Sequence, residues 1–356
     1  MSKGPTIHDL AADLNLSATT VWRALNNRDR VSAATRVRVQ ARAKEFNYEP
    51  SLVAQNLSHG RTSTLGVLVP RIGNPVFSHL VETVEQFAFE RGFCIILCDL
   101  VRRLGLEYEY TRMLYRRRVE GVVVVPFGPT TRDWDTILED LEKKGVAVVL
   151  LEQSLPSKRF STVIADNAGA TYEMTQHLIR LGHKRLAFAS ATSENKDGSF
   201  LERLDGFKQA VADAGLTDRS RLILNTYEKS DSDPNPEYSP RVIKEHFSGV
   251  DRPTAVVTLT DRIAIQIMET IREMNLDIPR DVAIGGFDNI DFSEYTLPPL
   301  TTMKHPTEQM ARRAAELLFE KIEAGPNAKK EPTFVRLPCK MIIRQSCGAY
   351  LSSPSS

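Results

Sequence analysis

Four side chains on one short predicted helix, residues 18–25, have the chemistry to contact nucleic acid. Ala18, Thr19, Trp22 and Arg23 lie on its exposed side, whereas its other side is apolar. An arginine can bind guanine in bidentate fashion or clamp a phosphate, and an alanine methyl group can contact thymine. Base specificity is therefore expected to depend on Thr19, on Arg23 and on the shape of the nucleic acid.

Two flanking helices would hold this helix in position. The first follows Thr6, with apolar residues at the helical spacing i, i+3, i+4 and i+7. The third begins at Ser32 and extends to about Phe46. Thr6 and Ser17 each precede a helix and can cap it by accepting a hydrogen bond from a free backbone N–H. Two short helices braced by a third predict a helix-turn-helix, whose second helix enters the major groove of DNA.

The charge distribution supports this prediction. Residues 1–62 contain nine Lys/Arg and five Asp/Glu, a net charge of +4, whereas the whole chain has a net charge of +1. A three-helix bundle that carries surface arginines for other reasons is the competing interpretation. The concentration of positive charge on the segment whose shape suits a polyanion favours DNA binding.

A hinge is predicted after the third helix. Pro50 interrupts the helix, since proline lacks an N–H and restrains the residue before it. The next segment, residues 51–58, is helical in pattern but too short to be a stable helix alone. We expect it to fold only with support from a symmetry mate and DNA, with Leu57 as a candidate wedge between base steps of the minor groove. A plain interdomain linker is the alternative.

The rest of the chain alternates short β-branched runs with longer helical patterns. Apolar runs such as Gly121–Val125 and Val146–Leu151 are typical of parallel strands that are buried on both faces. The alternation predicts an α/β fold of doubly wound parallel sheets, and the length suggests two lobes. A ligand is expected in the cleft between the lobes, beyond the carboxyl ends of the strands.

Short motifs follow one another along the whole chain in a specific order. The first part contains Thr6-Ile-His-Asp-Leu-Ala, Leu16-Ser-Ala-Thr-Thr-Val, Arg23-Ala-Leu-Asn26 and Phe46-Asn-Tyr48. The later part contains Asn74-Pro-Val-Phe77, Asp166-Asn167, Arg203-Leu-Asp-Gly-Phe207, Gly286-Phe-Asp288 and Pro299-Leu-Thr-Thr302. This series resembles the LacI–GalR (lactose-repressor) family, without gaps from residue 6 to about 62.

The resemblance implies a set of DNA contacts in the head and hinge. These are Thr6, Ser17, Ala18, Thr19, Trp22, Arg23, Asn26, Val53, Ala54 and Leu57. Within this set, Ala18 and Thr19 would be the base-reading pair, and Ala54 and Leu57 of paired hinge helices would enter the minor groove. Trp22 departs from the family, which usually has Ser or Thr there, so operator preference is expected to be unusual.

The resemblance also implies a core like that of periplasmic sugar-binding proteins, with a sugar or sugar derivative as the favoured effector. The expected effector contacts are Asn74, Phe77, Phe127, Glu152, Arg203, Thr260 and Asp288. Phe77 can stack on a sugar face, and charged side chains can bind hydroxyls. Phe77 could instead belong to the core, and Thr260 could only cap a helix. Family members that bind sugars often have Asn in place of Thr260 and Asp in place of Glu152.

Other classes of protein are disfavoured by what the sequence lacks. We expect no secretory signal, and the sequence contains no apolar run near the ~18 residues of a membrane span. The four cysteines, Cys94, Cys98, Cys339 and Cys347, lack the spacing of a zinc site. Of these, Cys94 and Cys98 are expected in the interior of a strand. Nucleotide-binding and nucleophile-elbow motifs are missing. We expect no metal, no cofactor, no membrane association and no enzymatic activity, and a cytoplasmic, nucleoid-associated protein.

The expected organisation is an all-α helix-turn-helix head before a two-lobed, periplasmic-binding-protein-like α/β core. The predicted boundaries are 1–49 for the head, 50–62 for the hinge, 63–345 for the core and 346–356 for a polar tail. The first lobe is expected at about 63–164 plus 291–325, and the second at about 165–290 plus 326–345.

The predicted function is that of a ligand-responsive transcriptional regulator, most simply a repressor. It would bind a palindromic double-stranded DNA operator as a homodimer, with affinity controlled by a small molecule in the cleft. The sequence leaves open whether the effector releases or recruits the protein. The alternative is a solute-binding sensor whose effect does not depend on DNA binding.

Overall fold

The computed structural model describes residues 5–48, 61–100, 106–127, 131–191, 198–223, 226–228, 237–325 and 331–352. The chain divides into two compact units, Met1–Ser63 and Thr64–Ser356. The predicted hinge contacts Val53, Ala54 and Leu57 lie outside the described residues, so their role stays a prediction.

The described part of the first unit contains three helices, as the sequence predicts. They are α1 (Ile7–Leu14), α2 (Ala18–Leu25) and α3 (Ala33–Glu45). Each begins after a residue whose hydroxyl accepts a hydrogen bond from the backbone N–H three positions on: Thr6, Ser17 and Ser32. Leu10, Val21 and Val39, one from each helix, are fully buried between them. These contacts confirm the predicted helices and their packing.

Arginines of α3 fasten it to α1. Arg42 forms a two-pronged ion pair with Asp13, with N–O distances of 2.7 and 2.9 Å. Arg38 donates to the carbonyl of Leu14, the last residue of α1, at 2.7 Å. Part of the positive charge of the head therefore holds its own helices together, which the sequence pattern does not reveal.

In the described residues of the second unit, two six-stranded sheets form the two lobes. The strands are β1 (Thr64–Val69), β2 (Cys94–Asp99), β3 (Gly121–Val124), β4 (Ala147–Leu151), β5 (Ser161–Ala165), β6 (Leu186–Ala189), β7 (Arg221–Ile223), β8 (Tyr227–Glu228), β9 (Glu237–Tyr238), β10 (Ala255–Thr258), β11 (Ala283–Asp288), β12 (Thr301–Lys304), β13 (Phe334–Leu337) and β14 (Lys340–Ile342). The helices are α4 (Pro75–Phe89), α5 (Leu106–Arg116), α6 (Thr131–Lys143), α7 (Asn167–Arg180), α8 (Gly198–Asp213), α9 (Pro240–Phe247), α10 (Asp261–Glu273) and α11 (Thr307–Ala324).

The first sheet has the spatial order β13-β5-β4-β3-β1-β2, with all neighbours parallel. The second has the order β14-β12-β11-β10-β6-β7, with β14 antiparallel to β12. The remaining two strands, β8 and β9, pair only with each other among the described residues. Buried apolar clusters cover both faces of each sheet. Such two-sided burial explains why the strands are nearly continuous apolar runs. The predicted α/β fold with two parallel sheets is confirmed.

The lobe boundaries differ from the expectation in two segments. The strand β12 was expected in the first lobe, but it pairs with β11 in the second sheet. The strand β13 was expected in the second lobe, but it pairs with β5 in the first. The chain crosses back to the first lobe between β12 and α11, whose Leu318 and Phe319 pack in the core of that lobe. Strand pairing fixes these crossings, and a one-dimensional pattern does not show it.

The expected polar tail after residue 345 is wrong at its start. Ser346 is fully buried and connects two strands, because its hydroxyl donates to the Ile284 carbonyl at 2.6 Å and accepts from the Thr301 N–H at 2.8 Å. Cys347 is buried in the core of the second lobe. Cys94, expected inside a strand, is instead exposed at the start of the edge strand β2.

The helices α7 and α8 approach so closely that Gly206 permits no side chain. A methyl group at Gly206 would overlap the carbonyl oxygen of Ala168. We expect Gly206→Ala to lower the free energy of unfolding by ~1–3 kcal/mol, because α8 must move away from α7. Lys208→Ala, exposed on the same helix, is the control and should change it by less than ~0.5 kcal/mol. Urea denaturation would measure both, and equal stability of the two variants would contradict this account.

Candidate functional site

The helix α2 presents a mixed surface of exposed and half-buried side chains. Thr19 is exposed, whereas Trp22 and Arg23 are half-buried. The methyl group of Ala18 packs partly against the core of the head, and the Asn26 amide nitrogen donates to the Trp22 carbonyl at 2.9 Å. Thr19 is thus the most accessible of the predicted base-reading residues.

Two other predicted DNA contacts, Thr6 and Ser17, also cap helices. The Thr6 hydroxyl accepts from the Asp9 N–H and lies 2.7 Å from the Asp9 carboxylate in a capping box. The Ser17 hydroxyl caps α2 through the Thr20 N–H. Both residues are exposed at helix starts, where free N–H groups favour anions such as phosphate. Contact with DNA stays a prediction for every residue of this set.

A buried arginine organises the second lobe at the carboxyl ends of its strands. Arg203 on α8 donates from Nε to the Asn167 side-chain oxygen at 2.8 Å and from Nη1 to the Leu259 carbonyl at 2.6 Å. Its Nη1 lies 3.5 Å from Oδ1 of Asp288, and both side chains are about 7% exposed. The guanidinium stacks 3.6 Å from the centre of the Phe287 ring. The structure therefore brings together Arg203 and Asp288, two of the predicted effector contacts.

Burial sets the protonation of two aspartates near this arginine. Burial raises the pKa of Asp288 to about 7, although the Arg203 charge acts in the opposite direction. Burial also raises the pKa of Asp261 to about 6, although hydrogen bonds from Ser293 and Thr302 partly stabilise its carboxylate. Asp288 can therefore gain or lose a proton near neutral pH.

A second buried pair links the end of β4 to the segment that follows β12. Oε1 of Glu152 lies 3.2 Å from Nε2 of His305, and their side chains are 10% and 1% exposed. The pair lacks hydrogen-bond geometry, and neither atom has another hydrogen-bond partner in the described residues. Burial opposes ionisation of Glu152, but the His305 and Arg203 charges outweigh it and hold its pKa below the ordinary value. Two buried polar atoms thus keep unused hydrogen-bonding capacity.

The backbone is strained at the same strand ends. Glu152 has a φ of 68°, Asp288 a φ of 117° and Asn289 a φ of 58°. Such values are uncommon for residues with side chains, and they cluster at functional sites. The surrounding structure must hold these residues in place, which fixes the direction of the Glu152 and Asp288 carboxylates.

The other four predicted effector contacts also follow carboxyl ends of strands. Asn74 caps α4 through the Val76 N–H, and Thr260 caps α10. Phe77 packs in part against the core of the first lobe, and Phe127 is 37% exposed. In the described ranges, no hydrogen bond, ion pair or ring contact joins these four residues to the Arg203 cluster. Their role as effector contacts stays a prediction.

Three residues of the buried cluster were missed by the sequence reasoning. Asn167 is completely buried and holds Arg203, although the sequence showed only a helix start after Asp166. Phe287 lies beneath the guanidinium, and His305 faces Glu152. His305 directly follows β12, a strand that the sequence pattern did not resolve, so no signal marked the end of a strand there.

Neither a metal site nor a membrane-spanning helix is present in the part of the chain that the structure describes. The described residues contain no group of three or more His, Cys, Asp or Glu side chains arranged to hold a metal ion. Among the helices that the structure describes, none is long and apolar enough to cross a bilayer.

Comparison with known proteins covers both units. Residues 6–51 match the model of bacterial regulatory proteins of the lacI family, and residues 175–347 match a periplasmic binding protein-like domain. The HTH-type transcriptional repressor PurR of Photobacterium profundum is 32% identical over 344 residues, which cover 96% of this chain and 98% of PurR. The chain belongs to the LacI family. It is a helix-turn-helix transcriptional regulator with a two-lobed core.

Solved structures of the family resemble this chain in fold and sequence. A LacI family regulator from Enterococcus faecium with bound ribose is 30% identical, with a TM-score of 0.67 over 80% of this chain and 98% of that one. The regulator CelR in complex with cellobiose is 27% identical, with a TM-score of 0.66 over 96% of this chain and 99% of that one.

The buried Asp288 predicts a distinct dependence of stability on pH. Its pKa is about 7 in the folded protein and about 3.9 in an unfolded chain. The folded state therefore holds the extra proton, and this stabilisation is complete below pH ~4 and lost as the pH rises through 7. The side chain at position 288 of the Asp288→Asn variant cannot ionise, so the variant does not lose this stabilisation. The free energy of unfolding of the variant, relative to that of the wild type, should therefore rise between pH 5 and pH 8.

Urea denaturation at several pH values would measure this difference. The control is Asp291→Asn, which changes an exposed side chain close by and should run parallel to the wild type. If the Asp288→Asn curve also runs parallel to the wild type, the pKa of Asp288 is not raised.

Proposed function

We propose that the protein is a repressor that binds a two-fold DNA operator as a homodimer and responds to a neutral polyhydroxyl effector between its lobes. The observation that carries the proposal is the combination of an exposed Thr19 on a helix-turn-helix with a strained, buried polar cluster at strand ends of the core. The similar PurR is a transcriptional repressor. Because such a protein must meet DNA, we place it in the cytoplasm with the nucleoid.

Exposed apolar side chains support a dimer. Phe292, Tyr295 and Leu297 lie within the nine residues that follow β11, with 67%, 75% and 73% of their surface exposed. Clustered large apolar groups on a surface mark protein interfaces, and a two-fold dimer uses the same patch on both copies. A dimer also presents two recognition helices to half-sites one helical turn apart.

The buried atoms of Glu152 and His305 that lack a hydrogen bond support a hydroxyl-bearing effector. A hydroxyl group can donate to Oε1 of Glu152 and accept from Nε2–H of His305, which would satisfy both buried atoms at once. Asp288 lies beside the Arg203 guanidinium, so a neutral effector would leave this ion pair undisturbed. Two similar structures hold ribose and cellobiose, which are neutral sugars.

Control of DNA binding then follows from linkage. Glu152 belongs to the first lobe, and His305 lies on the segment by which the chain returns from the second lobe to the first. An effector bound to both would favour one relative arrangement of the lobes. It can shift the operator-binding equilibrium only by its difference in affinity between the two arrangements.

The proposal is tested by selection of random duplex DNA with the full chain at ~150 mM salt, where non-specific binding is weak. The expected result is an enriched palindrome whose affinity changes on addition of ribose, cellobiose or another sugar of a panel. Failure to enrich any sequence, with or without sugars, would refute the DNA-binding function. An enriched palindrome that responds to no sugar would refute the effector class alone.

The role of Glu152 predicts a selective loss of response. Glu152→Gln removes a charged acceptor, and hydrogen bonds to charged groups are worth about 1.5–3 kcal/mol. The active sugar should therefore bind about tenfold more weakly or worse, whereas operator affinity without sugar should stay the same. Titration of the operator complex with that sugar measures both quantities. Glu173→Gln, at an exposed site on α7, is the matched control, and an equal effect of both variants would argue against this role.

A further inference from the structure

The first lobe carries a cluster of arginines that the proposed effector response does not use. Arg112 and Arg116 lie one helical turn apart on α5, and Arg117 follows the end of that helix. All three side chains are exposed. We call these three residues the α5 patch.

The carboxyl end of α5 lies near the amino ends of the strands of the first sheet, where the second unit begins. The N–H of Glu120, three residues after Arg117, donates to the Thr64 carbonyl at 2.9 Å. Leu65 of β1 is paired with Gly121 of the parallel strand β3, so the amino ends of both strands share one edge. The chain that joins the helix-turn-helix to the core therefore arrives beside the end of α5. The connecting residues 49–63 can span at most ~50 Å.

The α5 patch is not neutralised by the protein. No ion pair or side-chain hydrogen bond engages Arg112, Arg116 or Arg117 in the part of the chain that the structure describes. The nearby end of α6 behaves differently, since Lys143 pairs with Glu139 at 2.9 Å and Lys144 with Asp140. Three unpaired positive charges within six residues repel one another, and an external anion would relieve that repulsion.

Stabilisation of the helix dipole does not explain all three arginines. A cation in the last turn of a helix contributes ~0.3–1 kcal/mol, and the effect fades beyond that turn. Arg116, the last residue of α5, can serve this purpose. Arg112 lies a full turn earlier and Arg117 lies outside the helix, so two of the three charges remain without a structural role.

We propose that the α5 patch binds the phosphate backbone of DNA that flanks the operator. Arginine forms paired hydrogen bonds with phosphate oxygens, and regularly spaced phosphates suit several arginines on one surface. The chain enters the second unit beside this patch, and the contacts of the patch would fall on DNA that flanks the site bound by the head. The inference rests on the proposed DNA-binding function and adds sequence-independent contacts outside the palindrome.

The test compares two DNA lengths. Duplexes of ~20 and ~60 base pairs carry the selected palindrome at the centre, and the Kd of the full chain is measured over a range of salt concentrations. The variant is Arg112→Gln/Arg116→Gln/Arg117→Gln. On the longer duplex, its slope of log K against log salt should be smaller than that of the wild type by up to about 0.9 for each lost phosphate contact. Its affinity should fall at least about tenfold there, and both proteins should bind the shorter duplex alike.

The matched control is Arg180→Gln/Lys208→Gln/Arg219→Gln, which removes three exposed, unpaired charges from the second lobe. It should retain the wild-type slope on both duplexes. Equal slopes for the α5 variant and the wild type on the longer duplex would overturn the proposal, as would an equal loss in the control. Should the triple variant unfold, Arg117→Gln alone, outside the helix, gives the same comparison with a slope change of about one unit.

A duplex of random sequence separates phosphate binding by the α5 patch from recognition of the operator. If selection yields no palindrome, the proposed operator function fails. The same proteins are then compared on a ~60 base-pair duplex of random sequence. A smaller salt slope for the α5 variant would still support phosphate binding by the patch, and equal slopes would refute it.

Discussion

The burial of the Arg203 guanidinium is the constraint on which the second lobe depends. An arginine cannot lose its charge inside a protein, so every one of its donors needs a partner there. Asn167 at the start of α7 accepts from Nε, and the Leu259 carbonyl after β10 and Asp288 at the end of β11 lie against Nη1. One side chain thereby fixes the relative positions of three strand or helix ends. The close contact of α7 and α8 at Gly206 is what brings Asn167 within reach.

The same constraint leaves part of the site incomplete. Asp288 compensates Arg203, yet burial keeps the pKa of this carboxyl near neutrality. Glu152 and His305 face each other without a proper hydrogen bond, in a backbone held at a positive φ. Unsatisfied buried atoms and strained backbone both cost free energy, and a ligand hydroxyl can recover part of that cost. The proposed effector would therefore join the first lobe to the returning segment at His305.

The net charge of the head and hinge differs in sign from that of the core. The first 62 residues have a net charge of +4 and the chain as a whole +1, so the core is net negative. Within this negative core, the unpaired arginines of the α5 patch lie beside the point at which the chain enters from the head. Head arginines are partly occupied in ion pairs and carbonyl contacts, as with Arg42 and Arg38. Local pairing, more than the number of basic residues, therefore decides which charges are available to a polyanion.

Local signals along the chain were enough to locate several elements. Capping hydroxyls and apolar spacing located the three helices of the head, and apolar β-branched runs located the central strands, because both depend on near neighbours in the chain. The resemblance to the LacI–GalR family, and not a periodic pattern, indicated Glu152 and Asp288. Tertiary structure alone decided the lobe to which β12 and β13 belong, the burial of Ser346, and the meeting of His305 with Glu152. Those features arise from contacts between segments more than forty residues apart or from crossings of the chain between the sheets. No periodic pattern records which distant partner a residue will meet.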